Sequence, residues 1–325
     1  MDELGSDVLA DVLDTMRLST VMYGRFELSA PWGIQFCERP VARMLLLARG
    51  SARLEVEGLD GAVTLSAGDL AVLPHGGAHT IRDADGSPLQ VLGQGECKAA
   101  RGVGPIRFGG DGERTTMVSG AFRFGAAPRA LLFERLPSLV HIASDDPALA
   151  PSLASTAQLL IAESASSSPG ASVVMSRLAD ILLVQALRAH IATRQCREHG
   201  LYALSDPHIR KALSLIHERL AAPWTVESLA SAVALSRSGF AARFTELVGT
   251  PPLEYLARWR MTKAAQLLRE SDVPLSELAT TIGYQSEASF NRAFKRWDGR
   301  APGTYRREHR RRGPVATDAA ASAER

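Results

Sequence analysis

Cysteine is scarce: Cys37, Cys97 and Cys196 are the only three in 325 residues. An odd, widely spaced set excludes a disulfide framework and favours a reducing compartment. Long apolar runs are lacking as well. The most apolar stretch, residues 181–191, is broken by Gln185, Arg188 and His190. It falls well short of the ~20 residues that a membrane span needs. The opening segment, MDELGSDVLADVL, is acidic and has no basic part ahead of an apolar one. No signal peptide is therefore expected, no membrane partner, and the expected location is the cytoplasm. What is present suffices for a core: 46% of residues are hydrophobic and 22% charged, which excludes a disordered or collagen-like chain. The length suggests two compact domains.

Net charge is small, +2, but it averages unlike parts. Residues 1–205 carry 18 Lys and Arg against 22 Asp and Glu, a net of −4. Residues 206–312 carry 18 against 11, a net of +7, and the tail 313–325 carries −1. A basic third within a near-neutral chain points to a polyanionic partner.

Pattern divides the chain in the same way. From about Gly24 to His141, short alternating or apolar runs (MLLLARG, ARLEVEG, VTLSAGDLAVLPHG, FRFGAAPRALLF) are punctuated by Gly, Pro and Asp. Such spacing predicts an antiparallel barrel or sandwich over residues 1–146. The stretch 98–115, rich in Gly and Arg, reads as a long loop. Beyond Asp146 the period becomes helical, with Leu149, Leu153, Ala157, Leu160 and Ile161, then Val174, Leu178, Ile181, Leu182, Gln185 and Leu187. The two runs flank SASSSPG, so residues 147–205 read as a helical hairpin. Its second stripe suits either the barrel or a second copy of the chain. Asp206-Pro207, a cap followed by proline at the first helical position, opens the next helix. The fold class expected is α+β: an N-terminal antiparallel β-barrel with a helical hairpin, then an all-α domain over 206–312 and a disordered tail over 313–325.

Within the basic third the chain repeats itself. Leu229-Ala230 matches Leu278-Ala279 and Val233 matches Ile282 at an offset of 49; Phe240, Phe244, Gly249, Pro252 and Tyr255 match Phe290, Phe294, Gly299, Pro302 and Tyr305 at 50. This is a duplicated unit with one residue added in a turn. In the first copy Thr225 caps a helix burying Val226, Leu229, Ala230 and Val233, and Ser236 caps a second helix burying Phe240, Phe244 and Leu247. In the other, Pro274 starts a helix burying Leu275, Leu278, Ala279 and Ile282, Gly283 supplies the turn, and Ser286 caps a helix burying Phe290, Phe294 and Trp297. Each copy is thus a helix-turn-helix, whose second helix suits the DNA major groove. Between them Pro251-Pro252 starts a rod with Leu253, Leu256, Ala257, Met261, Ala264, Leu267 and Leu268 along one stripe. At 1.5 Å per residue it spans about 27 Å, of the order of the ~34 Å DNA turn.

The outward face of the last helix carries Glu287, Ala288, Asn291, Arg292, Lys295 and Arg296. Arg pairs with guanine, Asn with adenine, and Glu accepts from cytosine. Lys295 and Arg296 are placed for phosphates. The corresponding face of the first unit, Arg237, Ser238, Ala241, Ala242 and Thr245, is small and nearly uncharged. With these residues in view, WTVESLASAVALSRSGFAARFTELVG and IGYQSEASFNRAFKRWDGRAPGTYRR resemble the DNA-binding domain of AraC/XylS-type transcription regulators. The resemblance covers about Asp206 to Arg310. It implies Ser238, Ala241 and Ala242 as readers in the first unit and Glu287, Ala288, Asn291 and Arg292 in the second. The family often has Arg where this chain has Ala242, with Arg243 one place on. The second unit therefore ranks higher as a source of polar contacts.

The segment 68–79, with Gly68, Pro74, Gly76 and His79, resembles the second motif of cupins. The cupin first motif usually supplies two His and a Glu, but QFCERPVARMLLLARG has no His pair. His79 alone cannot form a catalytic metal site, so no metal, cofactor or enzymatic activity is expected. A set of Cys37, His75 and His79 stays open against the plainer reading, in which both His bond backbone. Phe26, Trp32, Phe36 and Met44, with His75 and His79, are candidates to line an effector pocket, set against a barrel filled by its own side chains. Cys37 and Cys97 are candidates for a redox switch, set against inert buried thiols. The function expected is a sequence-specific transcription regulator. Its partners would be double-stranded promoter DNA, a small-molecule effector on the cupin-like domain, a second copy in a homodimer, and RNA polymerase if it activates. The alternatives are a cupin-type metalloenzyme and a nonspecific structural DNA binder.

Overall fold

Strands form where the sequence alternates, and the structure, a computed structural model, shows how they pair. It describes residues 7–16, 19–91, 104–123, 133, 135–146, 151–192 and 200–311. Cys97, Cys196, residues 98–103 and the tail 313–325 lie outside these, and with them the redox reading of Cys97 and the expected disorder of the tail. Two compact units are present. One holds the strands and the helical hairpin. The other holds residues 203–311 together with the first helix, α1 (Val8–Met16), against the expected boundary that placed 1–146 in one domain.

The first unit contains β1 (Ser19–Ser29), β2 (Gly33–Phe36), β3 (Ala42–Arg49), β4 (Ser51–Val56), β5 (Val63–Ser66), β6 (Leu70–Leu73), β7 (His79–Arg82), β8 (Gln90–Val91), β9 (Ile106–Gly109), β10 (Arg114–Arg123) and β11 (Val140–Ile142). Among the described residues they form two sheets, ordered β11-β6-β3-β10-β1-β9 and β5-β4-β7-β2-β8. Among the described residues these two sheets do not close into a barrel. Two pairs, β1 with β9 and β2 with β8, run parallel. Each joins segments far apart in sequence, which local alternation cannot report. The stretch 98–115, expected to be a loop, contains β9 and the start of β10.

The core lies between the sheets, where Phe26, Leu28, Trp32, Ile34, Phe36, Leu45, Leu47, Leu54 and Ile81 pack together. β3 is buried at six consecutive positions because both its faces are covered. Leu45 and Leu47 enter the inter-sheet core; Met44 and Leu46, one step out of phase, take the other face. On the six-stranded sheet lies the helical hairpin, α2 (Pro151–Ser164) and α3 (Ala171–Ala192), with α3 against β1, β6 and β11. The Thr20 hydroxyl donates to Asp180 at 2.6 Å across that junction.

The second unit is helical. After a single 3-10 turn (Gly200–Ser205) come α4 (Pro207–Glu218), α5 (Val226–Ala232), α6 (Arg237–Val248), α7 (Pro252–Glu270), α8 (Leu275–Thr281), α9 (Glu287–Asp298) and α10 (Pro302–Arg311). Asp206 caps α4, Thr225 forms a capping box with Ser228, and Ser236 and Ser286 cap α6 and α9. Each cap contributes about 1 kcal/mol. The anticipated cores form in the main: Leu229, Ala230, Val233, Phe240 and Phe244 in the first copy and Leu278, Ala279, Ile282, Phe290 and Phe294 in the second are buried, while Val226, Leu247, Leu275 and Trp297 are half-buried. Of the rod's expected stripe, Leu256, Met261, Ala264 and Leu268 are buried and Leu267 half-buried, whereas Leu253 and Ala257 are exposed; Tyr255, Trp259 and Thr262 are buried as well. Tyr255 packs on Phe244, and α1 packs on α4 and α7. Its Asp11 accepts from His217 Nδ1 at 3.3 Å; His217 Nε2 accepts from the Tyr255 hydroxyl at 2.9 Å and the ring stacks on Trp259 at 4.0 Å. Among the described residues no helix is long and apolar enough to cross a membrane.

Candidate nucleic-acid interface

In both copies the phenylalanines pull one face of the second helix inward and so present the opposite face to solvent. Glu287, Ala288, Arg292, Lys295 and Arg296 are exposed on α9. On α6, Arg237, Ser238, Ala242 and Thr245 are exposed and Ala241 is half-buried. Asn291 is half-buried, and its Oδ1 is enclosed without a hydrogen-bond partner. It stands at the edge of the reading face rather than on it.

The basic residues of this unit divide by what holds them. Asp206 accepts from Arg243 Nε at 2.8 Å, as well as from the amides of His208 and Ile209. These contacts, led by the amide of Ile209, hold its carboxyl below the usual range despite burial. Arg243, itself exposed, thereby ties α6 to the start of α4. Arg300 binds Asp298 and Glu308, Arg310 binds Asp272, and Arg260 donates to the carbonyls of Leu220 and Ala222 at 2.9 Å each. Arg237, Arg292, Lys295 and Arg296 have no ion pair among the described residues. Three of those four cations lie on α9. An unpaired guanidinium on an exposed helix face is free to fork onto guanine or to meet a phosphate.

The N-terminal candidates fall into separate groups. Phe26, Trp32 and Phe36 lie together in the inter-sheet core, whereas Met44 is on the other face of its sheet. His75 Nε2 lies 2.8 Å from the Leu136 carbonyl, and His79 Nδ1 lies 2.8 Å from that of Gly77. Their turn is fixed by Gly76 at φ +64, where a Cβ would stand 2.1 Å from the Val41 carbonyl oxygen. His79 stacks on Phe36 at 4.8 Å, and the Arg43 guanidinium sits 4.1 Å from the same ring. Cys37, next to Phe36, is exposed, not buried. Among the described residues no group of three or more His, Cys, Asp or Glu is arranged to hold a metal ion.

Comparison with known proteins agrees with this division. A cupin family model matches residues 7–192, and a helix-turn-helix domain model matches residues 229–308. A putative AraC-like transcription regulator of Streptomyces lividans is 36% identical over 307 residues, covering 93% of this chain and 98% of that protein. The chain belongs to the AraC-like transcription regulators. The HTH-type transcriptional regulator AlkR of Acinetobacter baylyi is 31% identical over 93% of the regulator and 99% of its own length. A crystal structure of the DNA-binding domain of AdpA in complex with a target DNA is 33% identical, covering 34% of the regulator and 99% of that domain with a TM-score of 0.32. By the two family models and the AraC-like relatives, the double helix-turn-helix is the DNA-binding domain of a transcription regulator, with a cupin domain ahead of it.

Proposed function

We propose that the regulator is a cytoplasmic homodimer that reads promoter DNA chiefly through α9 and answers to an effector acting on its cupin domain. RNA polymerase is a further partner if it activates. The observation that carries the reading is the exposed, unpaired set Arg292, Lys295 and Arg296 beside Glu287 on α9, against the single Arg237 on α6. Arg292→Ala is expected to relax discrimination at one base pair by about 2 kcal/mol. Lys295→Ala is expected to weaken all sequences alike and reduce the salt slope by about one. Binding titrations over a set of single-base operator variants, repeated at several salt concentrations, read both effects. Uniform weakening by Arg292→Ala would make that residue a phosphate contact and favour a nonspecific binder.

The hairpin supports the dimer. Its inward stripe, Met175, Ala179, Leu182, Leu183, Ala186 and Leu187, is buried. Val174 and Ile181 remain 44% and 48% exposed two turns apart, flanking half-buried Leu178. Val174→Lys with Ile181→Lys is expected to convert a dimer into a folded monomer on light scattering. An unchanged dimer would place the interface elsewhere.

A further inference from the structure

The cupin domain is acidic overall, yet four arginines converge on one end of its six-stranded sheet. The register explains how. Arg107 on β9 lies beside Glu27 on β1, Glu27 opposite Thr116 on β10, and Thr116 opposite Arg49 on β3, where a bulge at Ala48 reverses the alternation of β3 after core-facing Leu47 and turns Arg49 outward. Directly paired residues share a face, so these four form one row across four strands. Phe26 and Leu28 point into the core; Arg25, Glu27 and Ser29 therefore point away from it. Arg25 and Arg114, the latter paired with Ser29, flank the row. Together with Phe108, Gly109 and Gly110 these residues line a cleft of about 530 Å³, within the range that holds a metabolite-sized ligand.

Charge in the cleft is unbalanced. Among the described residues Glu27 is its only acid, bonded to Arg107 Nε at 2.7 Å and Arg25 Nε at 3.1 Å, which lowers its pKa. Arg25 is further fixed by its Nη1 donating to Ser164 Oγ at 3.1 Å. One carboxylate against four guanidiniums leaves three positive charges. Arg49 and Arg114 are exposed and have no ion-pair partner among the described residues; Asp111 and Glu113, in the nearby turn, do not line the cleft. The Glu27 clamp holds two arginines in place without discharging the other two. Guanidiniums held this way match carboxylate and phosphate oxygens in bidentate geometry.

We propose that this cleft binds a small polyanion, a molecule carrying two or more carboxylate or phosphate groups. As the seat of an effector it rests on the effector reading above, but binding itself is tested alone. Citrate and pyrophosphate serve as probes for the two chemistries in calorimetric titration of the full chain, with ionic strength held constant by NaCl. Saturable binding of at least one probe in the millimolar range or tighter is expected. Arg49→Gln with Arg114→Gln should weaken it about tenfold or more, with an unchanged melting temperature and unchanged affinity for random-sequence duplex DNA. Arg49→Lys with Arg114→Lys should keep part of the affinity. The proposal falls if neither probe gives saturable heat, or if the glutamine variant binds the probe as well as the parent. It also falls if that variant loses DNA affinity in parallel, which would make this face a grip on DNA phosphates. Whether bound citrate or pyrophosphate alters DNA affinity bears on effector control and leaves the site itself standing.

Discussion

Replacing Gly283 with alanine is expected to destabilise the double helix-turn-helix by about 3 kcal/mol, whereas Ala234→Gly at the matching position in the first copy should be neutral or slightly stabilising. Both residues sit in the turn of their unit with positive φ, +83 for Gly283 and +57 for Ala234. A left-handed conformation costs an L-residue about 1–2 kcal/mol. Ala234 already bears that cost at an exposed position; glycine would relieve it, offset by ~0.4–1 kcal/mol of added freedom in the unfolded chain. Gly283 has no such room. A Cβ there would lie 2.6 Å from Arg260 Nη2 and 2.8 Å from Ala221 Cα. Arg260 cannot swing aside cheaply, since two backbone carbonyls hold its guanidinium. Overlap of this kind adds about 1–3 kcal/mol. Three of the four tryptophans, Trp224, Trp259 and Trp297, report on this unit, so urea unfolding followed by fluorescence measures the difference. DNA affinity should fall with Gly283→Ala because the turn sets the direction of α9. Equal shifts for the two substitutions would show that the close approach at Gly283 relaxes freely.

What the sequence revealed and what it hid follow the range of each interaction. The duplication, the caps and the phenylalanine faces are local, so spacing alone located them. Asp206 is legible as a cap from its two neighbours, but its third partner, Arg243, lies 37 residues on, beyond the reach of local spacing. The stripe on α7 is legible in part only, for the same reason. Tyr255, Trp259 and Thr262 are covered in a unit completed by α1, more than 200 residues earlier, and nothing in the local pattern of either helix announces the other. The parallel pairs β1–β9 and β2–β8 close over long connections, which local alternation does not report. Arg25, Arg49, Arg107 and Arg114 drew no notice at all. Each is an ordinary surface arginine in one dimension, and only cross-strand register gathers them.

Acidification from pH 7 to pH 4 is expected to cost the cupin domain about 3 kcal/mol through His79 alone. The ring is buried, which favours its neutral form; the Gly77 carbonyl opposes that shift and Arg43 adds to it, leaving a pKa of about 4. With Nδ1–H donating to Gly77, Nε2 carries the lone pair, and it is enclosed without a partner. Protonation there would bury a charge against no acceptor. The unfolded chain takes up its proton near the ordinary histidine value of 6.5 and the folded one only near 4, so the His79 contribution is intact above pH 6.5 and is lost progressively as pH falls towards 4. Asp69 acts in a different window. Backbone amides of Ser66 and Ser144 hold its pKa below 3.8 despite burial, so its stabilisation persists until the pH drops under that value. His79→Asn removes the titrating ring, and it should flatten the stability profile of the Trp32-containing unit between pH 7 and pH 4 by about 3 kcal/mol while lowering stability at neutral pH. His217 shares the sign of His79, its pKa also lowered by burial, but it belongs to the other unit. A profile unchanged by His79→Asn would mean that the folded cupin domain admits a proton at Nε2, and with it that the enclosed side of this ring opens to a partner in solution.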